Sequence, residues 1–119
     1  MSEAKSLSGG CHCGAVRFEA TAGVGEVMAC NCSLCAKTGW LLTFVPAQSF
    51  KLIAGADHLT DYQFNRKTMH HVFCKTCGVR SFSRGRSPQG GEMYALNVRC
   101  LDDVDVTGIP VKHVDGKSF

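Results

Sequence analysis

Eight cysteines in 119 residues fall into three close groups and one outlier: Cys11 and Cys13; Cys30, Cys32 and Cys35; Cys74 and Cys77; and Cys100. Thiols this dense in so short a chain commit it either to a disulfide scaffold or to metal binding. Met1 to Gly9 is small and polar, without the apolar stretch of a secretory signal, so a reducing, cytoplasmic setting is expected. Cysteines two apart in a strand are also poor disulfide partners, because the bond's geometry is strict. Zinc is therefore the expected guest.

Cys11-His12-Cys13 and Cys74-Lys75-Thr76-Cys77 lie far apart in the chain, and each offers two thiols from a tight turn. Together they make a four-thiolate tetrahedral set with no open position, the form zinc takes in structural sites. Gly14 and Gly78 directly follow the second thiol of each pair, where a backbone turning around a metal often needs positive φ. Such a site would join the N-terminal strand to the second half of the domain.

Cys30-Asn31-Cys32-Ser33-Leu34-Cys35 would hold a second zinc with three protein ligands, leaving a fourth position for water or a substrate. Three thiolates make zinc a weak Lewis acid and a soft site, which suits an incoming thiol. A bound thiol would lose its proton and become an oriented nucleophile. Cys100 or a histidine closing this set is the alternative, and it would make both zincs structural. Cys100 follows Leu96-Asn97-Val98-Arg99 with no partner nearby in sequence, which reads as a buried inert thiol.

The length suits one domain, read as residues 9–119 behind an N-terminal tail at 1–8. The formal charge of +3 counts every cysteine as neutral. Seven ligating thiolates and two zinc ions would bring the loaded protein close to zero, so the basic balance says little about partners. No apolar run is long enough to span a bilayer, and no aromatic-basic stripe marks a nucleic-acid surface.

Frequent glycine and short alternating segments predict a mostly antiparallel β domain. Ala15 to Ala20 puts Val16, Phe18 and Ala20 on one face, and Val24 to Ala29 is a second strand leading into the three-cysteine stretch. Trp40 to Val45 reads as a buried strand ended by Pro46, followed by a helical turn and a strand over Phe50 to Ile53. After a turn at Gly55-Ala56-Asp57, His58 to Phe64 and Thr68 to Phe73 read as paired strands around Asn65-Arg66-Lys67. Arg80 to Ser83 and Met93 to Val98 supply two more. Ser33 to Thr38 is the best candidate for a short helix, and from Asp102 the chain reads as polar and irregular.

His12 sits between two ligands and should point away from the metal, while the adjacent His70 and His71 should face opposite sides of a strand. His58 and His113 carry no signal. Donors for a charged thiol are available among Lys37, Arg66, Lys67, Arg80, Arg84, Arg86 and Arg99. Lys37, two residues past Cys35, and Arg84, in the Arg84-Gly85-Arg86 setting, are the candidates kept.

Gly9-Gly10-Cys11-His12-Cys13-Gly14-Ala15-Val16-Arg17-Phe18, Cys30-Asn31-Cys32-Ser33-Leu34-Cys35 and Phe73-Cys74-Lys75-Thr76-Cys77-Gly78, in that order, resemble the glutathione-dependent formaldehyde-activating enzyme family. Phe50-Lys51-Leu52, His70-His71-Val72-Phe73-Cys74 and Asn97-Val98-Arg99-Cys100-Leu101-Asp102 look most like its centromere protein V branch, which is associated with chromatin and microtubules. The resemblance runs from about Gly9 to Leu101. It implies a mainly β, Mss4-like fold of antiparallel sheets carrying two zincs. The structural zinc is then held by Cys11, Cys13, Cys74 and Cys77, and the catalytic zinc by Cys30, Cys32 and Cys35. The implied reaction joins glutathione and formaldehyde into S-hydroxymethylglutathione, a carbon-sulfur lyase chemistry. Where many members carry one or two basic residues after the last trio cysteine, this chain has Ala36-Lys37, so a donor from position 36 is missing.

The functional expectation is a zinc-dependent, cytoplasmic enzyme acting on a thiol such as glutathione, with no membrane or nucleic-acid partner. The competing expectation is a binding module whose zincs only staple a β scaffold. A third, weaker one is a redox switch in which the trio oxidises and releases its zinc.

Overall fold

The computed structural model describes residues 5–23, 25–30, 33–63, 70–86, 91–102 and 104–114. The protein is mainly β. Strand β1 (Lys5–Gly10) pairs antiparallel with β2 (Arg17–Ala22), and β2 with β5 (Phe50–Ala54). A five-stranded sheet runs in the order β10 (Val111–Val114), β3 (Val27–Cys30), β4 (Leu42–Pro46), β9 (Glu92–Asn97), β8 (Phe82–Arg86). Strands β6 (Leu59–Tyr62) and β7 (His71–Cys74) form a two-stranded ribbon. The short helix α1 spans Ser33–Thr38. Among the described residues, every strand pairing is antiparallel except β10 with β3. The arrangement is consistent with the Mss4-like fold.

Alternation explains how the sheets close on one another. In β2, Phe18, Ala20 and Ala22 are buried while Glu19 and Thr21 are exposed, the two-residue period of a strand with one wet face. Phe18 meets Val16, Val27, Val72, Phe82 and Leu96 in a core to which all three sheets contribute. Phe18, Phe50, Phe82 and Tyr94 cluster at the junction, Phe82 edge-on to Phe18 and tilted to Phe50, with Phe50 and Tyr94 ring centroids 4.0 Å apart and 8° from parallel. Offset and tilted ring pairs of this kind add to the area they bury.

Four expectations change. The strand read at Arg80 to Ser83 begins only at Phe82 and runs on to Arg86. Ser6, Leu7 and Ser8, read as tail, belong to β1 and pair with Thr21, Ala20 and Glu19; their polar, glycine-flanked sequence hid an edge strand whose outer face is wet. The run Trp40 to Val45 is not a wholly buried strand. Trp40 and Leu41 are buried ahead of β4, and Phe44, within it, is exposed. Pro46 still pairs with Met93, as its last residue. The segment after Asp102 ends in β10, which lies parallel to β3 in the register Val111–Val27 to Val114–Cys30. Expectations at Val24, Phe64, Asn65-Arg66-Lys67 and Thr68 lie outside the described residues.

Candidate metal centre

Two turns built alike present the thiols. In the first, the N–H of Cys11 donates to the Val16 carbonyl at 3.1 Å, and Gly14 takes φ 85° and donates to the Cys11 carbonyl. In the second, the N–H of Cys74 donates to the Val79 carbonyl at 3.0 Å, and Gly78 takes φ 78° and donates to the Cys74 carbonyl at 2.8 Å. Both glycines adopt the left-handed conformation their positions in the sequence suggested. A backbone amide also points at the first sulfur of each turn: Val16 N–H at 3.3 Å from Cys11 Sγ, and Thr76 N–H at 3.4 Å from Cys74 Sγ.

Folding β1 and β7 into one core brings the turns together. Cys11 and Cys74 are buried, Cys77 is half-buried and Cys13 is exposed, so the cluster sits at the rim of the core. The four Sγ atoms lie within 4.8 Å of one another, with Cys13 Sγ 3.6 Å from both Cys11 Sγ and Cys74 Sγ. Zinc–sulfur bonds of about 2.3 Å in a tetrahedron put sulfurs about 3.8 Å apart. The sulfurs are thus spaced for a shared ion. The four residues can hold one metal ion, and with four sulfurs they leave it no open position.

The charges are arranged for the same end. Backbone N–H groups of Cys13 and Val79 bring the Cys77 thiol down to about 6. Those of Cys77 and Thr76 lower Cys74. The Ala15 N–H also pulls on Cys13, but burial and the adjacent thiols of Cys11, Cys74 and Cys77 outweigh it and push Cys13 up to about 11. Four sulfurs this close cannot all ionise beside one another unless a cation compensates them. A soft dication suits such a donor set.

The trio is reached only in part. Cys30 ends β3, half-buried against Trp40, Leu42 and Ala95, and α1 begins three residues later at Ser33. Cys32 and the side chain of Cys35 lie outside the described residues. Lys37 is exposed in the last turn of α1. Cys100 is half-buried and donates its S–H to the Arg80 carbonyl at 3.8 Å. Burial, and then the charge of Cys11 and Cys77, push its thiol up to about 11, so it is a neutral neighbour of the four-cysteine cluster. His12 is exposed, as its position between two ligands suggested.

A polar group that spacing did not reveal lies between the cluster and Cys30. Arg80, three residues past Cys77, stacks on Trp40 with its guanidinium 3.7 Å from the ring centroid. It donates to Ser83 Oγ at 3.0 Å and to His71 Nδ1 at 2.5 Å. Asn97 donates to the Arg80 carbonyl at 2.9 Å. Arg80 appeared in sequence only among the basic residues and Trp40 only in an apolar run, and their separation carries no motif. His70 and His71 do face opposite ways, His70 bonding Asp61 at 2.6 Å.

Since Arg80 donates to Nδ1, His71 is a neutral imidazole carrying its proton on Nε2. Burial, and then the Arg80 charge, lower it to about 4 from the ordinary 6.5. The unfolded chain therefore binds the extra proton between these values and the folded protein does not. Stability is complete above about pH 6.5 and falls as pH drops toward 4, at no more than about 1.4 kcal/mol per pH unit. H71Q, which can keep an acceptor for Arg80 but cannot titrate, should flatten this part of a denaturation-midpoint-versus-pH curve. An unchanged slope would assign the dependence to another group.

A sequence model of the glutathione-dependent formaldehyde-activating enzyme family matches residues 6–114. The fold is also similar to the crystal structure of a Rhodobacter sphaeroides protein determined as a structural-genomics target. That match has a TM-score of 0.76 and 32% sequence identity, covering 88% of this chain and 99% of the other. No helix among the described residues is long and apolar enough to cross a membrane. With the match extending over both turns of the cysteine cluster and over Cys30, Cys32 and Cys35, this chain belongs to the glutathione-dependent formaldehyde-activating enzyme family.

Proposed function

We propose that the protein is a zinc-dependent carbon-sulfur lyase-type enzyme acting on a thiol adduct, with S-hydroxymethylglutathione as the representative product. The observation that supports this most is the closure of Cys11, Cys13, Cys74 and Cys77 on one another, within 4.8 Å. With those four thiols close enough to share one ion, Cys30, Cys32 and Cys35 are left as the proposed second ligand set. A zinc held there would supply a fourth position at which a thiol is stabilised as thiolate. The sulfur adds to the carbonyl carbon of formaldehyde, one C–S bond forms, the C=O π bond breaks, and the oxygen takes up a proton to give the hydroxymethyl group. The reverse cleavage releases the same two reactants. Formaldehyde is electrophilic enough that holding the thiolate in place can carry the step. Lys37, two residues past Cys35 in sequence and exposed in the last turn of α1, is the donor proposed to meet the charge of such a thiol.

This reading includes a single domain that takes in β1 from Lys5, a cytoplasmic setting, two zincs and glutathione as the thiol. The segments around Phe50, His70-His71 and Asn97 to Asp102 support a place near the centromere protein V branch. The competing reading is a binding module with two inert zincs. Metal analysis with and without glutathione separates them: two zincs, one made labile or spectrally perturbed by the thiol, support the enzyme. Two inert zincs, with no thiol effect, would sink it. C32S should lose turnover and keep its fold, since the four-cysteine cluster is untouched; a C32S protein that unfolds would place the second zinc among the structural elements.

A further inference from the structure

We infer that the pocket where the three sheets meet is a second ligand site, independent of the trio, for a small zwitterion with an apolar body, such as an aromatic α-amino acid. The pocket has a volume of about 270 Å³. Benzene occupies an apolar cavity of roughly 150 Å³, so there is room for a ring with a short polar extension. Phe50, Phe82 and Tyr94 line it, Phe50 stacked on Tyr94 and Phe82 tilted to both, together with Leu59 and Val72. A flat apolar ring is the shape this surface accepts.

The mouth carries one charge of each sign. Asp61 and Arg84 both line the pocket, and both are exposed. They come from different sheets, and the His70–Arg84 bridge holds them together. His70 N–H donates to the Arg84 carbonyl at 2.8 Å, and His70 Nδ1 lies 2.6 Å from Asp61 Oδ2. Gln63 Nε2 donates to the same oxygen at 3.0 Å. Among the described residues, Oδ1 accepts no hydrogen bond and is the oxygen left for a ligand's ammonium. Although burial opposes it, the bonds from His70 and Gln63 together with the nearby Arg84 charge keep Asp61 below the ordinary carboxylate value. Arg84 supplies the fork that a carboxylate takes.

The pocket lies away from Cys30. Tyr94 stands opposite Val45 on β4, whereas β3 meets β4 at Met28–Leu42 and runs on to Cys30 in the other direction. Leu42 and Val45 alone are separated by roughly 10 Å along the strand.

The test titrates zinc-loaded full-length protein with L-phenylalanine, 3-phenylpropionate and 2-phenylethylamine, followed by NMR and calorimetry. L-Phenylalanine should bind at least tenfold more tightly than either analogue. D61N should erase the preference over 3-phenylpropionate, and R84Q the preference over 2-phenylethylamine, with melting temperatures close to that of the parent. Equal binding of all three, or binding of none, overturns the proposal. C32S should bind L-phenylalanine as the parent does. Loss of binding in C32S would tie the pocket to the trio and overturn its independence, whereas loss of turnover alone bears only on the proposed function.

Discussion

C74S is expected to leave the protein unfolded at 37 °C and to remove one equivalent of bound metal. Cys74 is fully buried, and its backbone closes the second turn through Val79 and Gly78. Across the cluster, the exchange of a thiolate for a hydroxyl deletes one of four sulfurs that lie within 4.8 Å of one another. Apparent binding energies of structural zinc in small peptides are about 10–16 kcal/mol, against a net stability of about 5–15 kcal/mol for a whole domain. Losing even half of the first can consume the second. C100S is the matched control: it removes a thiol beside the cluster that donates only a weak S–H bond, and should shift the melting temperature by a few degrees. Circular dichroism melts alongside elemental analysis read both quantities. A C74S protein with the parental melting temperature and metal content would show that the cluster is not what holds the fold closed.

G10A should be the most damaging single-methyl addition in the first turn, with a loss of about 3 kcal/mol or more. A Cβ at Gly10 would stand 2.1 Å from the Val16 carbonyl oxygen, the acceptor of the Cys11 N–H, and 2.9 Å from Arg17 Cδ. That backbone cannot move aside without carrying Cys11 with it. At Gly14 a Cβ meets nothing within 4 Å, and the cost of G14A is only the left-handed φ of 85°, about 1–2 kcal/mol. The ranking, G10A worse than G14A in both melting temperature and metal affinity, separates crowding from conformational strain. The reverse order would mean that β1 can shift while the cluster stays closed.

The cluster was legible because metal ligation imposes local rules. A Cys-x-Cys or Cys-x-x-Cys turn with glycine after its second thiol carries its geometry within a few residues, and the structure brings together Cys11, Cys13, Cys74 and Cys77 as spacing implied. β2 and α1 were also visible, the one through strict alternation and the other as a short segment that begins inside the three-cysteine stretch. β1 and β10 were not. β10 pairs with a strand far back in the chain, and both strands carry exposed residues that leave little hydrophobic period to read. Arg80 on Trp40 was hidden for the same reason, since stacking between residues forty apart leaves no mark on either neighbourhood. Trp40 to Val45 misled in the opposite way: continuous apolar sequence reads as a buried strand, yet Phe44 is 38% exposed.

The parallel pairing of β10 with β3 bears on how the protein is handled at the bench. Val114 stands beside Cys30, and Val27 donates its N–H to the Pro110 carbonyl at 3.0 Å, so the last described strand forms the outer seam of the segment that delivers the trio. A purification tag joined just after Val114 pulls on that seam, and a truncation before Val111 strips it, opening β3 to pairing with another molecule. Activity lost in such a protein would report on the seam rather than on the chemistry.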